Sequence, residues 1–340
     1  MEFKEIEFRG MTLTEEDLIQ LFYYKFTETP LLKRMDAVKD YFIDSWETLK
    51  GRNISEDDQE MLQMKFDKMY TTKDIYTIYN WMLDDCGCDL LPEVPYEKRK
   101  LPYEDVFPML YLKYRLSGGN STHKNIKHLV IDEMQDYTYL QYTILESLFH
   151  CRMTILGDRA QTLDTKQQDV LRFLPKLLGR EIRTIEIKKS YRNTLEIARY
   201  AEKVSGVSDL ELLDRHGKEV VEKTFNTDTE LLDELVCHLK CPGDFETADL
   251  ITTTEEEAFD LSRLLKLRGI NVSYVDRNSS AFKKGLTVTT FYLAKGLEFD
   301  QVFALRGAKE NPLKNQAEYI CATRALHELY VYEIADSLSK

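Results

Sequence analysis

Apolar side chains recur every three or four positions through the first hundred residues, a spacing that predicts amphipathic helices. One such run comprises Leu31, Met35, Val38, Phe42, Trp46 and Leu49. Thr14 with Asp17, and Ser55 with Asp58, have the spacing of a capping box and predict two helix starts. A last helix is expected to end at Ser117, before the linker-like stretch SGGNST. We therefore predict an all-helical region at the amino-terminal end of the chain.

Beyond this stretch, short apolar runs alternate with helical segments. The runs predicted as strands are residues 126–132, 153–158, 184–187, 249–254, 271–275, 286–291 and 301–305. Strands that alternate with helices are typical of parallel sheets, whose ligands bind at the carboxyl ends of the strands. The pattern predicts an α/β fold with two lobes and a helical appendage.

The charge balance argues against a protein whose whole surface is a basic nucleic-acid footprint. The 340 residues carry 46 basic and 59 acidic side chains, a formal net charge of −13. Residues 1–100 hold 14 basic and 22 acidic side chains, so a local basic groove is expected only in the later part.

The six cysteines show no paired C-x-x-C arrangement, so neither a disulfide framework nor a zinc ribbon is indicated. Cys237, His238 and Cys241 lie close together but lack a fourth ligand at a usual spacing. The chain has no apolar run of membrane-spanning length, and its first residues lack a signal-peptide core. These features predict a reduced, cytoplasmic protein.

Two strand ends carry candidate chemistry. HLVIDEMQD (128–136) places Asp132 and Glu133 at the end of a strand, where one carboxylate could hold magnesium and the other could orient or deprotonate water. ILGDRAQ (155–161) ends a second strand, and Gln161 there could contact a γ-phosphate or position water. Each of these two segments is also compatible with an ordinary strand that is followed by acidic residues.

Three further segments add cationic and aromatic groups. KKSYRN (188–193) presents Tyr191, which can stack on a base, and Arg192, which can bind phosphate oxygens. TTFYLAKGLEFD (289–300) combines a strand end, a Lys-Gly turn and a glutamate. YICATRALHELYV (319–331) places Arg324 late on a helix that leads into a strand.

In this order, the five segments resemble motifs II to VI of UvrD/Rep-like superfamily 1 helicases. The segments AKGLEFD and ATRALHELYV are most similar in sequence to those of the HelD (helicase IV) branch, which includes motors that recycle stalled RNA polymerase. The resemblance implies RecA-like P-loop NTPase lobes with parallel sheets. By this resemblance, residues 1–120 would form a 1B-like helical region, residues 121–180 the rest of an incomplete first lobe, and residues 181–340 a second lobe.

The resemblance also implies a role for each motif residue. Asp132 would ligate Mg²⁺, and Glu133 would be the catalytic base. Gln161 would sense the γ-phosphate, while Arg192 and Arg324 would act as arginine fingers. Tyr191 would stack on adenine, Glu298 would hydrogen-bond the ribose, and Gly296 would let the backbone approach the nucleotide. ATP and Mg²⁺ are the implied ligands, with single-stranded or duplex DNA and RNA polymerase as implied partners.

Two parts of the family pattern are missing. The phosphate loop G-x-x-x-x-G-K-[ST] occurs nowhere in the sequence, which implies a missing amino-terminal lobe that would carry it. The residues after Gln161 are TLDTKQQD, without the aromatic side chains on which DNA bases stack in relatives, and Tyr292 stands where many relatives have histidine.

Three functions follow from these features. The first is part of an ATP-driven helicase or polymerase-recycling motor, and the second is an inactive relative that acts as a protein-binding module, for example on RNA polymerase. The third is a different magnesium-dependent phosphohydrolase or nuclease. We rank the third last, because the sequence shows no larger cluster of acidic residues of the kind that nuclease sites need.

Overall fold

The computed structural model describes residues 1–119, 125–163, 170–179, 182–206, 211–240, 245–279, 284–306 and 312–335. The chain forms two compact units. Unit 1 comprises residues 1–130 and 138–154, and unit 2 comprises residues 131–137 and 155–340. The division of the chain at residues 120 and 180 stays a prediction.

The described helices and strands alternate after an amino-terminal helical stretch. The strands are β1 (Ile6–Phe8), β2 (Met11–Leu13), β3 (His128–Ile131), β4 (Arg152–Ile155), β5 (Lys189–Ser190), β6 (Glu211–Leu212), β7 (Val221–Phe225), β8 (Thr247–Thr252), β9 (Ser273–Tyr274), β10 (Gly285–Thr290), β11 (Phe299–Arg306) and β12 (Ala325–Ile334). The α-helices are α1 (Glu15–Gln20), α2 (Arg34–Lys50), α3 (Glu56–Asp67), α4 (Ile75–Asp85), α5 (Tyr103–Ser117), α6 (Tyr139–Leu148), α7 (Val170–Leu178), α8 (Leu195–Ser205), α9 (Asp228–Lys240), α10 (Glu255–Leu267), α11 (Phe291–Ala294) and α12 (Lys314–Arg324). None of the helices in the described ranges has the length and apolarity that a membrane crossing requires.

Apart from most residues of β3 and β4, the described part of unit 1 consists of helices and a hairpin that the sequence analysis did not predict. Thr14 forms the expected capping box with Asp17 at the start of α1, and the Ser55 side chain caps α3. Before α1, β1 and β2 pair antiparallel around Arg9 and Gly10, both of which have positive φ. Such turns usually carry Asn-Gly or Asp-Gly, so Arg-Gly gave no hairpin signal.

Unit 2 contains a six-stranded sheet in the order β7-β12-β11-β8-β10-β9, and every neighbouring pair in it is parallel. The predicted α/β class with parallel sheets is therefore confirmed. Successive residues of a strand point to opposite faces, and the sheet accordingly separates two cores. On β12, Leu329 and Val331 belong to one core while Tyr330 and Tyr332 belong to the other.

The run 184–187 was predicted as a strand, and this prediction is wrong. The structure describes no strand there, and only Lys189–Ser190 forms a short ladder with β6. Ile185 and Ile187 are 68% and 79% exposed, so the β-branched pattern has no described sheet on which to pack. The edge strand β7, whose three central residues are exposed, was not predicted because it lacks an apolar run.

Candidate functional site

All eight residues singled out by the motifs line one cleft in unit 2, formed by two adjoining cavities that share Asp158, Gln161 and Arg192. The smaller cavity, about 310 Å³, is lined by Asp132, Glu133, Gly157, Asp158, Gln161, Arg192, Gly296 and Arg324. The larger cavity, about 510 Å³, is lined by Asp158, Gln161, Lys189, Ser190, Tyr191, Arg192, Asn193, Glu298, Thr323 and Leu326. Segments that are far apart in the chain therefore meet at this cleft.

The position of the cleft on the six-stranded sheet differs from the expectation. Asp132 and Asp158 do follow the carboxyl ends of β3 and β4. Glu298 and Arg324, however, immediately precede β11 and β12, so the cleft lies at the amino ends of these two strands. On this sheet the cleft-lining residues therefore sit on the turns and the helix that enter the strands, and ligand binding at the carboxyl ends of its strands stays a prediction.

The turn after β3 holds the two motif carboxylates in a constrained conformation. The Ile131 carbonyl accepts a 2.8 Å bond from the Leu156 amide, and the Leu156 carbonyl accepts another from the Met134 amide, also 2.8 Å. Between these bonds, Glu133 adopts φ 53° and ψ 48°, a left-handed conformation that costs a non-glycine residue of order 1–3 kcal/mol. The Glu133 amide donates to the Asp132 carboxylate at 2.8 Å.

Gln135 links this turn to the turn after β4, and sequence reasoning missed it. Its buried side-chain amide donates to Glu133 Oε2 at 2.7 Å, while its carbonyl oxygen accepts from the Asp158 amide at 3.1 Å. Gly157 makes this approach possible, since a Cβ atom there would lie 2.5 Å from Gln135 Oε1 and 2.7 Å from the Met134 nitrogen. A glutamine two positions after Glu133 was the only sequence signal for this contact.

Asp158, Gln161 and Arg324 form a chain of hydrogen bonds across the floor of the cleft. Asp158 Oδ2 accepts from Gln161 Nε2 at 2.9 Å and from the Tyr319 hydroxyl at 2.8 Å. Burial raises the pKa of Tyr319, so this hydroxyl stays a donor. Gln161 Oε1 accepts from Arg324 Nη2 at 3.1 Å, which orients both the amide and the guanidinium.

Arg324 is a buried cation without an anionic partner in the part of the chain that the structure describes. The residue is 2% exposed, and its other Nη hydrogen bonds go to neutral acceptors, the Leu297 carbonyl and the Thr323 hydroxyl. Its Nε is buried with no hydrogen-bond partner. Burial, with a smaller contribution from Arg192, lowers the pKa of Arg324. A buried guanidinium is costly unless it is paired, so the cleft is suited to receive an anion.

The larger cavity places an ion pair beside an exposed aromatic ring. Arg192 Nε lies 2.6 Å from Glu298 Oε1, and both side chains are nearly half exposed. Tyr191 is 64% exposed on the same cavity, so its ring is open to a stacking partner. Asn193 follows and donates to the carbonyls of Ala322 and Ala325 at 3.1 and 2.6 Å. Asn193 therefore fixes Arg192 relative to the end of α12, a role that the sequence analysis did not assign.

Lys295 is a charged residue that sequence reasoning did not assign to the site. Its Nζ donates to Asp136 Oδ2 at 2.5 Å and to the Gln161 carbonyl at 2.9 Å, and it lies 3.6 Å from Glu133 Oε2. The side chain is only 7% exposed. Lys295 therefore links three turns, namely the turn after β3 that carries Glu133, the turn that carries Gln161, and its own turn.

The turn that carries Lys295 requires glycine at the next position. Lys295 has φ −58° and ψ 132°, Gly296 has φ 83°, and the Leu297 amide donates to the Ala294 carbonyl at 3.0 Å. These values describe a type II turn, in which the second central residue needs positive φ. A Cβ on Gly296 would meet nothing within 4 Å, so backbone conformation, and not crowding by the protein, requires this glycine.

The oxygen ligands of the cleft suit a hard divalent cation. Magnesium keeps several waters and binds through one or two carboxylates together with phosphate oxygens. Asp132, exposed at the mouth of the smaller cavity, offers such a carboxylate. Among the described residues, no group of three or more His, Cys, Asp or Glu is arranged as a self-sufficient metal site. The donor set therefore fits Mg²⁺ brought in with phosphates.

Two other sequence features lie away from the cleft. The His238 ring packs against Tyr330 with centroids 4.5 Å apart, and burial lowers its pKa, while Cys241 lies outside the described residues. The Tyr292 hydroxyl donates to Glu255 Oε1 at 3.1 Å. Of the run that follows Gln161, residues 164–169 also lie outside the described ranges.

Fold and site together define an α/β protein with a charged cleft, in which carboxylates, arginines and an exposed tyrosine converge. No protein-family model matches the chain, and neither does any curated protein. Among solved structures, it is similar to the C-terminal domain of a possible DNA helicase from Lactobacillus plantarum, at 25% identity and a TM-score of 0.35, covering 43% of this chain and 88% of that one.

Two viral structures are also similar to the chain. They are the PRRSV helicase (16% identity, TM-score 0.37, 77% of this chain and 46% of that chain) and arterivirus nonstructural protein 10, a helicase in complex with DNA (17% identity, TM-score 0.26, 35% and 29%). The chain thus spans less than half the length of either viral helicase.

Proposed function

We propose that the cleft of unit 2 is the nucleotide site of an ATP-dependent helicase or translocase of the UvrD/HelD kind. The observation that carries the proposal is Arg324, a buried guanidinium bonded to Gln161, without a carboxylate partner among the described residues. It faces a cavity of about 310 Å³ whose lining includes Asp132 and Glu133. Cations and carboxylates on one cavity are what phosphoryl transfer from a magnesium nucleotide requires.

Each side chain then has a defined task. Asp132 would hold Mg²⁺, which would supply positive charge to the phosphates of the bound nucleotide. Glu133, oriented by Gln135, accepts the proton of the attacking water as the bond from oxygen to the γ-phosphorus forms. Arg324 and Arg192 bind phosphate oxygens as the γ-phosphoryl bond to the leaving ADP breaks. Gln161, bonded to both Asp158 and Arg324, holds the guanidinium in position against the carboxylate turn.

The larger cavity accommodates the nucleoside. Tyr191 offers an exposed ring for adenine, and Glu298 offers a carboxylate to ribose hydroxyls. The sequence contains no phosphate loop, so we propose that a separate segment supplies the backbone amides and the lysine that cradle the phosphates. Hydrolysis would be coupled to movement on DNA or to remodelling of an RNA polymerase complex.

The first experiment is magnesium-dependent ATP binding and hydrolysis by this chain. Wild-type protein is compared with Glu133→Gln and Arg324→Ala, and Cys237→Ser, on the exposed part of α9, is the control. We expect Glu133→Gln to retain ATP binding but lose turnover, Arg324→Ala to lose both, and Cys237→Ser to match wild type. Equal magnesium-dependent ATP binding by wild type and Arg324→Ala would refute the proposed site, and turnover by Glu133→Gln would refute its catalytic base.

Unit 1 supports a second candidate, a protein-binding module. Several of its aromatic side chains are exposed, among them Tyr24 (68%), Tyr96 (79%) and Tyr103 (74%). Exposed aromatics on a surface rich in acidic residues suit docking to a basic protein partner such as RNA polymerase. Co-purification of the isolated polymerase with the chain, in the presence and absence of ATP, tests this candidate. Binding that does not depend on ATP would favour the protein-binding module over the ATP-driven helicase or translocase.

A further inference from the structure

Arg215 joins the two chain segments that carry the cleft arginines Arg192 and Arg324. It lies between β6 and β7, outside the five motif segments. Its Nη1 donates to the Arg192 carbonyl at 3.1 Å, and its Nη2 lies 2.9 Å from Nδ1 of His327. His327 is on β12, three positions after Arg324. A single guanidinium therefore bridges the backbone before α8 and the beginning of β12.

The His327 ring is itself held in place. An arginine can only donate hydrogen bonds, so Nδ1 of His327 is the acceptor and Nε2 carries the ring hydrogen. That Nε2 lies 3.7 Å from Asp300 Oδ1, and the ring stacks on Phe245 with centroids 5.7 Å apart. Asp300 in turn accepts from the amides of Glu246 and Thr247 at 3.1 and 2.9 Å. His327 is therefore a fixed acceptor for Arg215.

Arg192 depends on such backbone contacts for its position. It lies in irregular backbone between β5 and α8, and its ion pair with Glu298 is nearly half exposed, so the pair fixes it only weakly. The Asn193 side chain holds this stretch against the end of α12. Arg215 holds it a second time, because its guanidinium bonds to the Arg192 carbonyl and its own carbonyl accepts from the Leu195 amide at 2.8 Å.

We infer that Arg215 is a positioning residue for Arg192, and that it affects phosphate binding through that arginine without touching the ligand. The inference rests on the proposed nucleotide site. Arg215 lines neither cavity, whereas Arg192 lines both. A guanidinium binds phosphate oxygens through a planar fork, so a small displacement of Arg192 weakens these bonds.

The first test is a double-mutant cycle of Arg215→Gln and Arg192→Ala, with the dissociation constant of magnesium ATP measured by titration calorimetry. We expect Arg215→Gln to weaken binding about five- to tenfold in the wild-type background, but less than about twofold in the Arg192→Ala background. The effect disappears because Arg215 has nothing left to position. The control Arg268→Gln breaks a pair with Asp233 outside both cavities and should bind as wild type does.

Two further measurements separate positioning from other roles. Arg215→Lys keeps the charge but lacks the fork that reaches two acceptors, so it should weaken binding as Arg215→Gln does. Hydrogen exchange of a peptide spanning residues 190–198, recorded without nucleotide, should be about threefold faster at the beginning of α8 in Arg215→Gln than in Arg268→Gln.

The outcomes separate this inference from the proposed function. Equal magnesium ATP binding by wild type and Arg324→Ala would refute the nucleotide site, and with it any effect of Arg215 on that ligand. If the site stands, an equal loss in both backgrounds, no loss in either, or wild-type affinity in Arg215→Lys would overturn the positioning role. Unchanged hydrogen exchange in Arg215→Gln would overturn that role independently of any ligand.

Discussion

Replacing Lys295 by methionine tests whether this buried ammonium organises the cleft. Methionine has a similar length and is apolar, so the change removes the charge while it fills most of the same volume. Its thioether cannot donate to Asp136 Oδ2, which lies 2.5 Å from Lys295 Nζ, or to the Gln161 carbonyl at 2.9 Å. Glu133 Oε2, 3.6 Å from the ammonium, would also be left without this cation.

The expected loss of stability follows from the burial of each partner. Removing one member of a fully buried ion pair costs about 3–5 kcal/mol, and a hydrogen bond to a charged group contributes about 1.5–3 kcal/mol. Lys295 is 7% exposed, but the side chains of Glu133 and Asp136 retain 36% and 32% exposure, and solvent therefore reduces the penalty. We expect Lys295→Met to lower the free energy of unfolding of unit 2 by about 2–3 kcal/mol.

The distribution of tryptophan lets one urea titration report the two units separately. The chain has two tryptophans, Trp46 and Trp81, and both lie in unit 1. Tryptophan fluorescence therefore follows unit 1, while hydrogen exchange of peptides from β8 and β11 follows unit 2. Lys284→Met is the matched control, since Lys284 pairs with Glu246 and their side chains are 81% and 72% exposed. Its expected effect is below about 0.5 kcal/mol.

Two results would refute the reasoning about Lys295. One is an unfolding free energy of unit 2 within about 0.5 kcal/mol of the wild-type value. The other is an equal loss in Lys295→Met and Lys284→Met, because the buried contacts would then have no effect beyond that of a surface pair.

Three shorter predictions concern other parts of unit 2. Gly157→Ala should destabilise unit 2 by about 1–3 kcal/mol and weaken magnesium ATP binding, because the added Cβ would overlap Gln135 and Met134. Calorimetry measures both effects, and Gly119→Ala is the control, since a Cβ at Gly119 would meet no atom within 4 Å. Asn193→Ala should cost about 2–3 kcal/mol in urea unfolding, since the buried carbonyls of Ala322 and Ala325 lose their donor. Burial raises the pKa of Asp249 from 3.8 to about 7, so between these pH values the folded state keeps a proton that the unfolded state releases. The contribution of Asp249 to the free energy of unfolding therefore falls by about 4 kcal/mol as the pH rises from about 4 to about 7. Asp249→Asn should remove this component from the stability–pH profile, and an unchanged profile would contradict the assignment.

The motif residues could be identified from the sequence because each stands at a boundary that local patterning defines. Asp132 and Asp158 follow apolar runs that form strands, and Arg324 ends a helix that leads directly into β12. The apolar pattern fixes where the strand ends, and the strand end fixes where the polar side chain emerges. Residues of this kind are predictable even when the neighbouring strands are not.

Elements that depend on a distant partner were less predictable. Residues 184–187 have the composition of a strand, yet no described strand pairs with them, and β7 forms with little apolar pattern because β12 supplies its ladder. Lys295 belongs to the same group, since its partner Asp136 lies 159 positions away. The segment AKGLEFD predicts a Lys-Gly turn at Lys295, but such a turn does not distinguish a buried lysine from an exposed one, and only tertiary packing makes Lys295 a buried link.

Among the described residues, Arg324 has no carboxylate partner, and this feature is the least predictable from the sequence. In a chain with 59 acidic and 46 basic residues, every arginine has abundant carboxylates available, so charge counting favours a paired Arg324. The structure instead gives it the Gln161 amide oxygen, the Leu297 carbonyl and the Thr323 hydroxyl, all of them neutral acceptors. These acceptors orient the guanidinium without neutralising it. Because a carboxylate at the same place would compete with an incoming phosphate, neutral acceptors leave the positive charge available to a ligand.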